Sequence, residues 1–288
     1  MKSIIMYHYI RETGMGLTPE AFDKQLTLLS SMYRVLPLSE LLRDTGSDPV
    51  CAITFDDGLK DAVISALPIL LDHGFSAAFF VPGAIFHQKT CLDVQRRHLL
   101  MMKLEVASII EELNESLPEH LAIKPTPAMQ ADYLDDLTTA SMKWSLDHFP
   151  PEIVSPILRR LVAKYLGDES QLFENLYLSR DDIQKLLNAG MEIGGHGFTH
   201  RPLGKLYYYD QLNELSHCAT TIRDLIGRRP LMLSYPSGDY TPITMRIAEH
   251  LGFSNAFTIQ KYTAESSPGP LEIGRFDCIS IPSPAELQ

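Results

Sequence analysis

Two adjacent carboxylates and two histidines spaced four apart are the side chains of this chain best suited to chemistry. Thr54-Phe55-Asp56-Asp57-Gly58 closes a short apolar run. Neighbours on a strand point to opposite sides, but where a strand gives way to a turn both can reach one cleft. Carboxylates this close repel unless a cation neutralises one or a proton is shared. A divalent metal on one, with the other left as a base, resolves the repulsion; the alternative is a plain Asp-Asp-Gly turn. His196-Gly197-Phe198-Thr199-His200 follows another short apolar run, with Gly194-Gly195 just before it allowing a sharp turn. Histidines at i and i+4 meet on one face if the segment makes a helical turn, and imidazole suits zinc and related metals. One aspartate plus two histidines leaves a position open for water, the pattern of catalytic metal sites. A third segment, Ser234-Tyr235-Pro236-Ser237-Gly238-Asp239-Tyr240, ends a further apolar run. Its backbone N–H groups can hold an oxyanion; taken alone it is equally a plain turn.

All three segments sit at the ends of expected strands. Residues 4–7, 50–55, 77–81, 191–193, 231–235, 256–259 and 273–279 read as short buried strands. Helical patterns alternate with them. Thr18-Pro19-Glu20 opens one with a cap residue and a proline in first position. Others cover 39–43, 61–72, 212–226 and 242–251, and Ser179-Arg180-Asp181-Asp182 starts another as a capping box. This alternation predicts an α/β fold with a mainly parallel sheet. One stretch breaks the rhythm: from about 90 to 177 the pattern is helical only. The expected organisation is a single domain over 1–288 with a helical insertion at about 90–177. That insertion either covers one rim of the barrel and shapes the substrate cleft, or is a packing appendage or dimer surface.

The 288 residues carry 25 Lys and Arg against 36 Asp and Glu, a formal net charge of −11. An acidic chain is a poor partner for the nucleic-acid backbone and no obstacle to a neutral sugar. No apolar stretch approaches the roughly 18 residues of a membrane span. The start of the chain lacks the apolar region of a secretory signal, so a cytoplasmic location is expected. Cys51, Cys91, Cys218 and Cys278 form no C-x-x-C pair and are expected to be reduced thiols without a chemical role. The oligomeric state is not encoded in any pattern found here.

Together the three segments resemble the polysaccharide deacetylases, carbohydrate esterase family four, also called the NodB-homology family. The T-F-D-D-G motif, an H-[ST]-x-x-H-like motif and a Y-P-x-G turn occur in the family's order, over about 1–85 and 178–280. The resemblance implies a deformed (β/α) barrel that hydrolyses N-acetyl groups on amino sugars. It implies Asp57, His196 and His200 as metal ligands, usually for zinc, with cobalt or nickel as possible substitutes. Asp56 would be the general base, and the backbone N–H near Ser237 would help hold the oxyanion. The sequence departs from the family in four places. Gly197 replaces the usual Ser or Thr after the first histidine, and Ser234 stands where an arginine often orients the base. The family's Asp-Trp-type signature and its late Leu-x-His, the usual general acid, are not found. A subgroup resembling poly-glucosamine deacetylases begins with a Met-Tyr-His strand whose histidine does the acid's work, and this chain begins Met6-Tyr7-His8. His8 is therefore the expected general acid. Arg275 and Asp277 are the candidates to restore the missing arginine and aspartate, and with Tyr235 they are the expected substrate contacts. The expected activity is metal-dependent removal of an N-acyl group from an amino sugar, a surface-polysaccharide precursor or oligosaccharide. A metal-dependent amidase on a non-sugar amide and a catalytically silent sugar-binding protein are the alternatives.

Overall fold

The computed structural model describes residues 1–125, 135–228 and 232–281. In chain order its first elements are β1 (Lys2–Tyr7), α1 (Pro19–Met32), β2 (Arg34–Val35), α2 (Leu38–Leu41), β3 (Val50–Phe55), α3 (Leu67–Asp72) and β4 (Ala77–Val81). Five helices follow: α4 (Asp93–Met101), α5 (Val106–Asn114), α6 (Leu137–His148), α7 (Pro151–Tyr165) and α8 (Glu169–Leu176). The chain ends with α9 (Arg180–Asn188), β5 (Glu192–Gly195), α10 (Tyr208–Ile226), β6 (Met232–Ser234), α11 (Pro242–Leu251), β7 (Asn255–Phe257) and β8 (Phe276–Asp277). It divides into two compact units, Met1–Gln88 with Leu176–Gln288, and Lys89–Asn175.

The first unit is a deformed (β/α) barrel. Its strands run β7-β6-β5-β4-β3-β1-β8, with β2 beside β3, and every pairing is parallel. Between β7 and β1 the sheet is completed by a segment that changes partner. Ile273 exchanges bonds with β7 and its extension, accepting from Thr258 N–H at 2.8 Å and donating to the Ala256 carbonyl at 2.9 Å. Three residues later Phe276 and Asp277 pair with β1. The single strand expected over 273–279 is thus split, and Arg275 lies at the seam.

Period-two alternation sorts the strand residues into two layers. Ile5, Tyr7, Cys51, Ile53, Phe55, Phe79, Val81 and Leu233 pack outward with helix residues such as Phe22, Leu26, Leu186, Leu215 and Ile222. Ile4, Val50, Ala52, Ala78, Phe80, Met232 and Phe257 form a separate inner cluster. Continuing the inner rows towards the carboxyl ends of the strands gives Thr54 and Asp56 beyond Ala52, and Ser234 beyond Met232. The interior is therefore apolar at one end and polar at the other.

Helix starts follow the expected chemistry. Thr18 Oγ1 accepts from Ala21 N–H at 3.1 Å with Pro19 in first position. The Ser179–Asp182 capping box opens α9, and a second box from Thr241 opens α11. Departures have local causes. The helix expected over 61–72 begins as a π turn, Ala62–Ala66, before Pro68, which has no N–H to donate. β2 is only two residues long, too short to leave a periodic trace. Leu231, the expected start of the strand over 231–235, lies outside the described residues.

The second unit is helical throughout its described elements. Leu100, Ile109, Ile110, Leu113, Met142, Val154, Leu158, Leu161 and Val162 form its own core. Arg96 is buried within it, paired with Asp93 and with Glu169 at 2.6 Å. All four cysteines are free thiols, three of them buried. Among the described residues no helix is long and apolar enough to cross a membrane.

Gly195 closes β5 against α10, and a Cβ there would lie 2.5 Å from Cys218 Sγ. Gly195→Ala is expected to cost about 1–3 kcal/mol, as overpacking a core does. Combining it with Cys218→Ala should recover most of that loss, measured as the midpoint of urea unfolding.

Candidate metal centre and catalytic site

His8, Asp56, Asp57, His196, His200, Tyr235 and Ser237 come from segments that leave the carboxyl ends of strands, whereas Arg275 lies at the seam before β8 and Asp277 ends β8. β1 and β3 are in register up to Tyr7 and Phe55, and Asp56 N–H donates to the Tyr7 carbonyl at 3.0 Å. Asp56 thus keeps the inward face of β3. Asp57, one residue on, would point away on a regular strand. Its φ of 73° instead turns the chain, and Gly58 continues the turn at φ 65°. Both carboxylates are buried, and both face the same histidine: His196 Nε2 lies 3.4 Å from Asp57 Oδ1 and 3.9 Å from Asp56 Oδ2.

Asp57, His196 and His200 each place one donor atom within 4.8 Å of the others. His200 Nε2 is 3.1 Å from Asp57 Oδ1. Two ligands about 2.1 Å from a tetrahedral cation lie about 3.4 Å apart, so these spacings suit a small divalent ion such as zinc. The His196 ring orientation suits it too: Nδ1–H donates to the Ser234 carbonyl at 2.9 Å, which turns Nε2 towards Asp57. Burial pushes the Asp57 carboxyl up, but hydrogen bonds from His196 and His200 outweigh it and hold the group well below the usual carboxylate range.

The two histidines do not meet through a helical turn, contrary to the expectation from their spacing. The segment after β5 is irregular, with Gly197 at φ 66° and His200 at φ 62°. A Cβ on Gly197 would also come within 3.0 Å of Pro236, a second reason for glycine at this position. Two sets of bonds fix this loop. Gly83 and Ala84 N–H donate to the Gly197 and Phe198 carbonyls at 3.0 and 2.9 Å. From the other side, buried Glu214 on α10 accepts from Phe198 N–H, Thr199 N–H and the Thr199 hydroxyl at 2.9, 2.8 and 2.5 Å. Glu214 belongs to none of the sequence motifs. Its only trace is a carboxylate on the buried stripe of a helix that also buries Leu215, Cys218 and Ile222.

Asp56 is held by a cation. Arg275 grips it with both arms, Nη1 to Oδ1 at 2.9 Å and Nη2 to Oδ2 at 2.7 Å. Ser234 Oγ donates to Asp56 Oδ2 at 3.0 Å and accepts from Arg275 Nη2 at 2.8 Å. Nη1 also reaches Thr54 Oγ1 at 3.3 Å, and Nε donates to the Thr258 carbonyl at 3.1 Å. Serine thus stands at position 234, and Arg275 brings the charge from the barrel seam. Burial pushes the Asp56 carboxyl up, but the charges of Arg275 and His196 and the Arg275 hydrogen bonds bring it down to about 2.

His8 lies one residue past β1, opposite Asp56 by register. Ser237 is exposed beyond β6 with φ 55°. Among the described residues the non-glycine residues with positive φ are Asp57, His200 and Ser237, all from the expected site. Such backbone strain, about 1–3 kcal/mol each, gathers at functional sites. Tyr235 and Asp277 are placed differently. The buried Tyr235 donates its hydroxyl to the Leu271 carbonyl at 3.0 Å and stacks on Tyr240, a packing arrangement. The Asp277 carboxylate accepts from Ile279 N–H at 3.0 Å and caps the turn that follows, so it does not join the Asp56 cluster.

Residues 157–256 match the polysaccharide deacetylase family model, a stretch that includes His196, His200 and the Tyr235 turn. No curated protein matches the chain. The fold is similar to that of a Streptococcus pyogenes deacetylase, PplD, solved with acetate: TM-score 0.60 at 18% identity, over 96% of this chain and 91% of that one. IcaB from Ammonifex degensii gives 0.59 at 15% identity, over 99% and 92%. The BpsB deacetylase domain from Bordetella bronchiseptica gives 0.55 at 12% identity, over 96% and 94%.

Removing Arg275 would leave a buried carboxylate uncompensated. Arg275→Met is expected to cost about 3–5 kcal/mol, partly recovered by adding Asp56→Asn, both read as thermal midpoints. The Asp56 carboxyl titrates lower in the folded chain than in the unfolded one. The pair's stabilisation is therefore present above about pH 4 and lost as pH falls towards 2, a dependence that Arg275→Met should flatten.

Proposed function

We propose that this relative of the polysaccharide deacetylases is a metal-dependent hydrolase that removes an N-acetyl, or more broadly an N-acyl, group from an amino sugar. The observation that carries the proposal is the convergence of Asp57, His196 and His200 beside a separately held carboxylate, Asp56. Zinc is the expected ion, with cobalt or nickel as substitutes. When bound, the divalent ion would supply Lewis-acid chemistry, acidifying a water and polarising the acyl oxygen.

The protein's own groups divide the remaining work. Asp56, ionised at neutral pH, accepts the proton of the attacking water. Arg275 and Ser234 fix the direction of its lone pairs. The backbone N–H near Ser237 takes up part of the charge that develops on the acyl oxygen. His8, across from Asp56 on β1, protonates the departing amine, without which a poor leaving group stalls the reaction. Each such proton transfer is typically worth about 10²–10⁴-fold in rate. The expected substrate is a surface-polysaccharide precursor or an oligosaccharide.

Elemental analysis should find about one metal per chain in the wild type and its loss in His200→Ala, with acetate released from N-acetylated sugars by the wild type alone. Asp56→Asn should keep its metal while turnover falls by about 10²-fold or more. Retained activity in that variant would refute the assignment of the base. No metal after reconstitution with zinc, cobalt or nickel would refute the site.

A further inference from the structure

The two candidate ligand histidines are held in different ways. His196 leaves β5 with its N–H donating to the Val81 carbonyl at 3.0 Å, and its ring is oriented by the Ser234 carbonyl. The His200 ring has no such support. Among the described residues it meets the Asp57 carboxylate and the His196 ring, both of them groups of the same centre. Its backbone lies in the left-handed region at φ 62°, which a residue with a side chain adopts only when its surroundings impose it. Where the ring stands therefore depends on the three residues that lead into it, Gly197-Phe198-Thr199.

Glu214, in the second turn of α10, fastens those residues. Its Oε2 accepts from the N–H groups of Phe198 and Thr199, and its Oε1 accepts from the Thr199 hydroxyl. The bonds from Gly83 and Ala84 reach only the carbonyls of this loop, so the amides depend on Glu214. Packing does not call for an acid here. The side chain is 8% exposed and shares its stripe with Leu215, Cys218 and Ile222. Among the described residues no lysine or arginine pairs with it. A carboxylate buried in this way costs stability that a leucine would not. Every hydrogen bond its carboxylate makes goes to the loop between the histidines, and that loop is the reason for an acid at this position.

We propose that Glu214 is the positioning residue of the metal centre: by fixing Phe198 and Thr199 it sets where His200 stands, and so how tightly the divalent ion is held. That an ion binds there rests on the function proposed above; the part assigned to Glu214 is tested on affinity and does not need turnover. Zinc affinity is measured by competition with a chelating dye in wild type, Glu214→Leu, Glu214→Gln, Thr199→Val and Leu26→Ala. Cobalt(II) is bound in parallel for its visible bands, which report the coordination geometry. Glu214→Leu should bind zinc about 10–100-fold more weakly, as loss of a group that orients a ligand typically does, and its cobalt bands should change. Glutamine can accept both N–H groups on its oxygen and donate to the Thr199 hydroxyl, so Glu214→Gln should recover most of that loss. Thr199→Val removes one bond and leaves α10 as it is; it should weaken zinc by about fivefold, the scale of a single hydrogen bond. Leu26→Ala, at a fully buried position of α1, should lower the thermal midpoint and leave zinc affinity unchanged, which separates positioning from loss of stability. Wild-type zinc affinity in Glu214→Leu overturns the proposal, as does a weakening that Leu26→Ala reproduces or that Glu214→Gln does not relieve. If Glu214→Leu does not fold, Thr199→Val decides, and unchanged affinity there overturns the proposal. Acetate release from N-acetylated sugars, recorded alongside, separates the two readings. Zinc binding that depends on Glu214 without acetate release defeats the hydrolase and leaves the positioning role standing, whereas acetate release with zinc affinity independent of Glu214 does the reverse.

Discussion

The buried pair between Asp56 and Arg275 is the interaction on which the site depends. Both side chains are almost fully enclosed, and each hydrogen-bonding arm of the guanidinium meets its own carboxylate oxygen. A lone carboxylate in that position would take up a proton rather than stay charged. With Arg275 present it stays ionised; Ser234 also donates to it, and Thr54 accepts from Arg275. The same pair joins β3 to the seam where the barrel closes, so one interaction sets both the charge state of the site and the closure of its wall.

Adjacent carboxylates are given different surroundings by a single backbone turn. Asp56 stays on the inward face of its strand and meets a cation. Asp57, rotated by its positive φ, meets two imidazoles. That division keeps two like charges from competing for one partner and separates the group that can take a proton from the group that can hold an ion. The histidine loop is held with comparable care. Glu214 collects three donors from it, and the Ser234 carbonyl orients His196, so β6 serves both carboxylate and imidazole.

Most of the barrel was legible in the sequence because buried parallel strands are short, apolar and bounded by turn residues. The two-residue β2 and the π start before α3 left no such mark. The chemical groups were legible by type: a D-D-G strand end and an H-x-x-x-H pair narrow the possibilities sharply. Their arrangement was less so. A spacing of four suggested a helical turn, whereas glycine and a left-handed histidine bring the rings together in a loop. Arg275 could be named only as a replacement for a missing arginine, because no local pattern links it to a carboxylate 219 positions earlier. Glu214 was hidden for the opposite reason. Its helix reads as an ordinary amphipathic one, and a buried acid on such a stripe shows itself only when its partners are in place. Asp277 stood two positions after Arg275, a spacing that a regular strand puts on one face, yet the chain changes partner at the seam and the Asp277 carboxylate caps the turn that follows.

The seam also sets an order of assembly. β1 and β3 are complete within the first fifth of the chain, but the wall between β7 and β1 is supplied by residues near 275. During synthesis, Asp56 emerges long before its counter-ion. Until then its carboxylate must remain hydrated or protonated, and the inner polar end of the barrel cannot be sealed. Contacts of such sequence separation form late and slow folding, because their loop-closure entropy is paid before the contact rewards it. The nascent chain therefore passes through an open-sheet stage with β1 as an exposed edge, a state prone to pair with other strands.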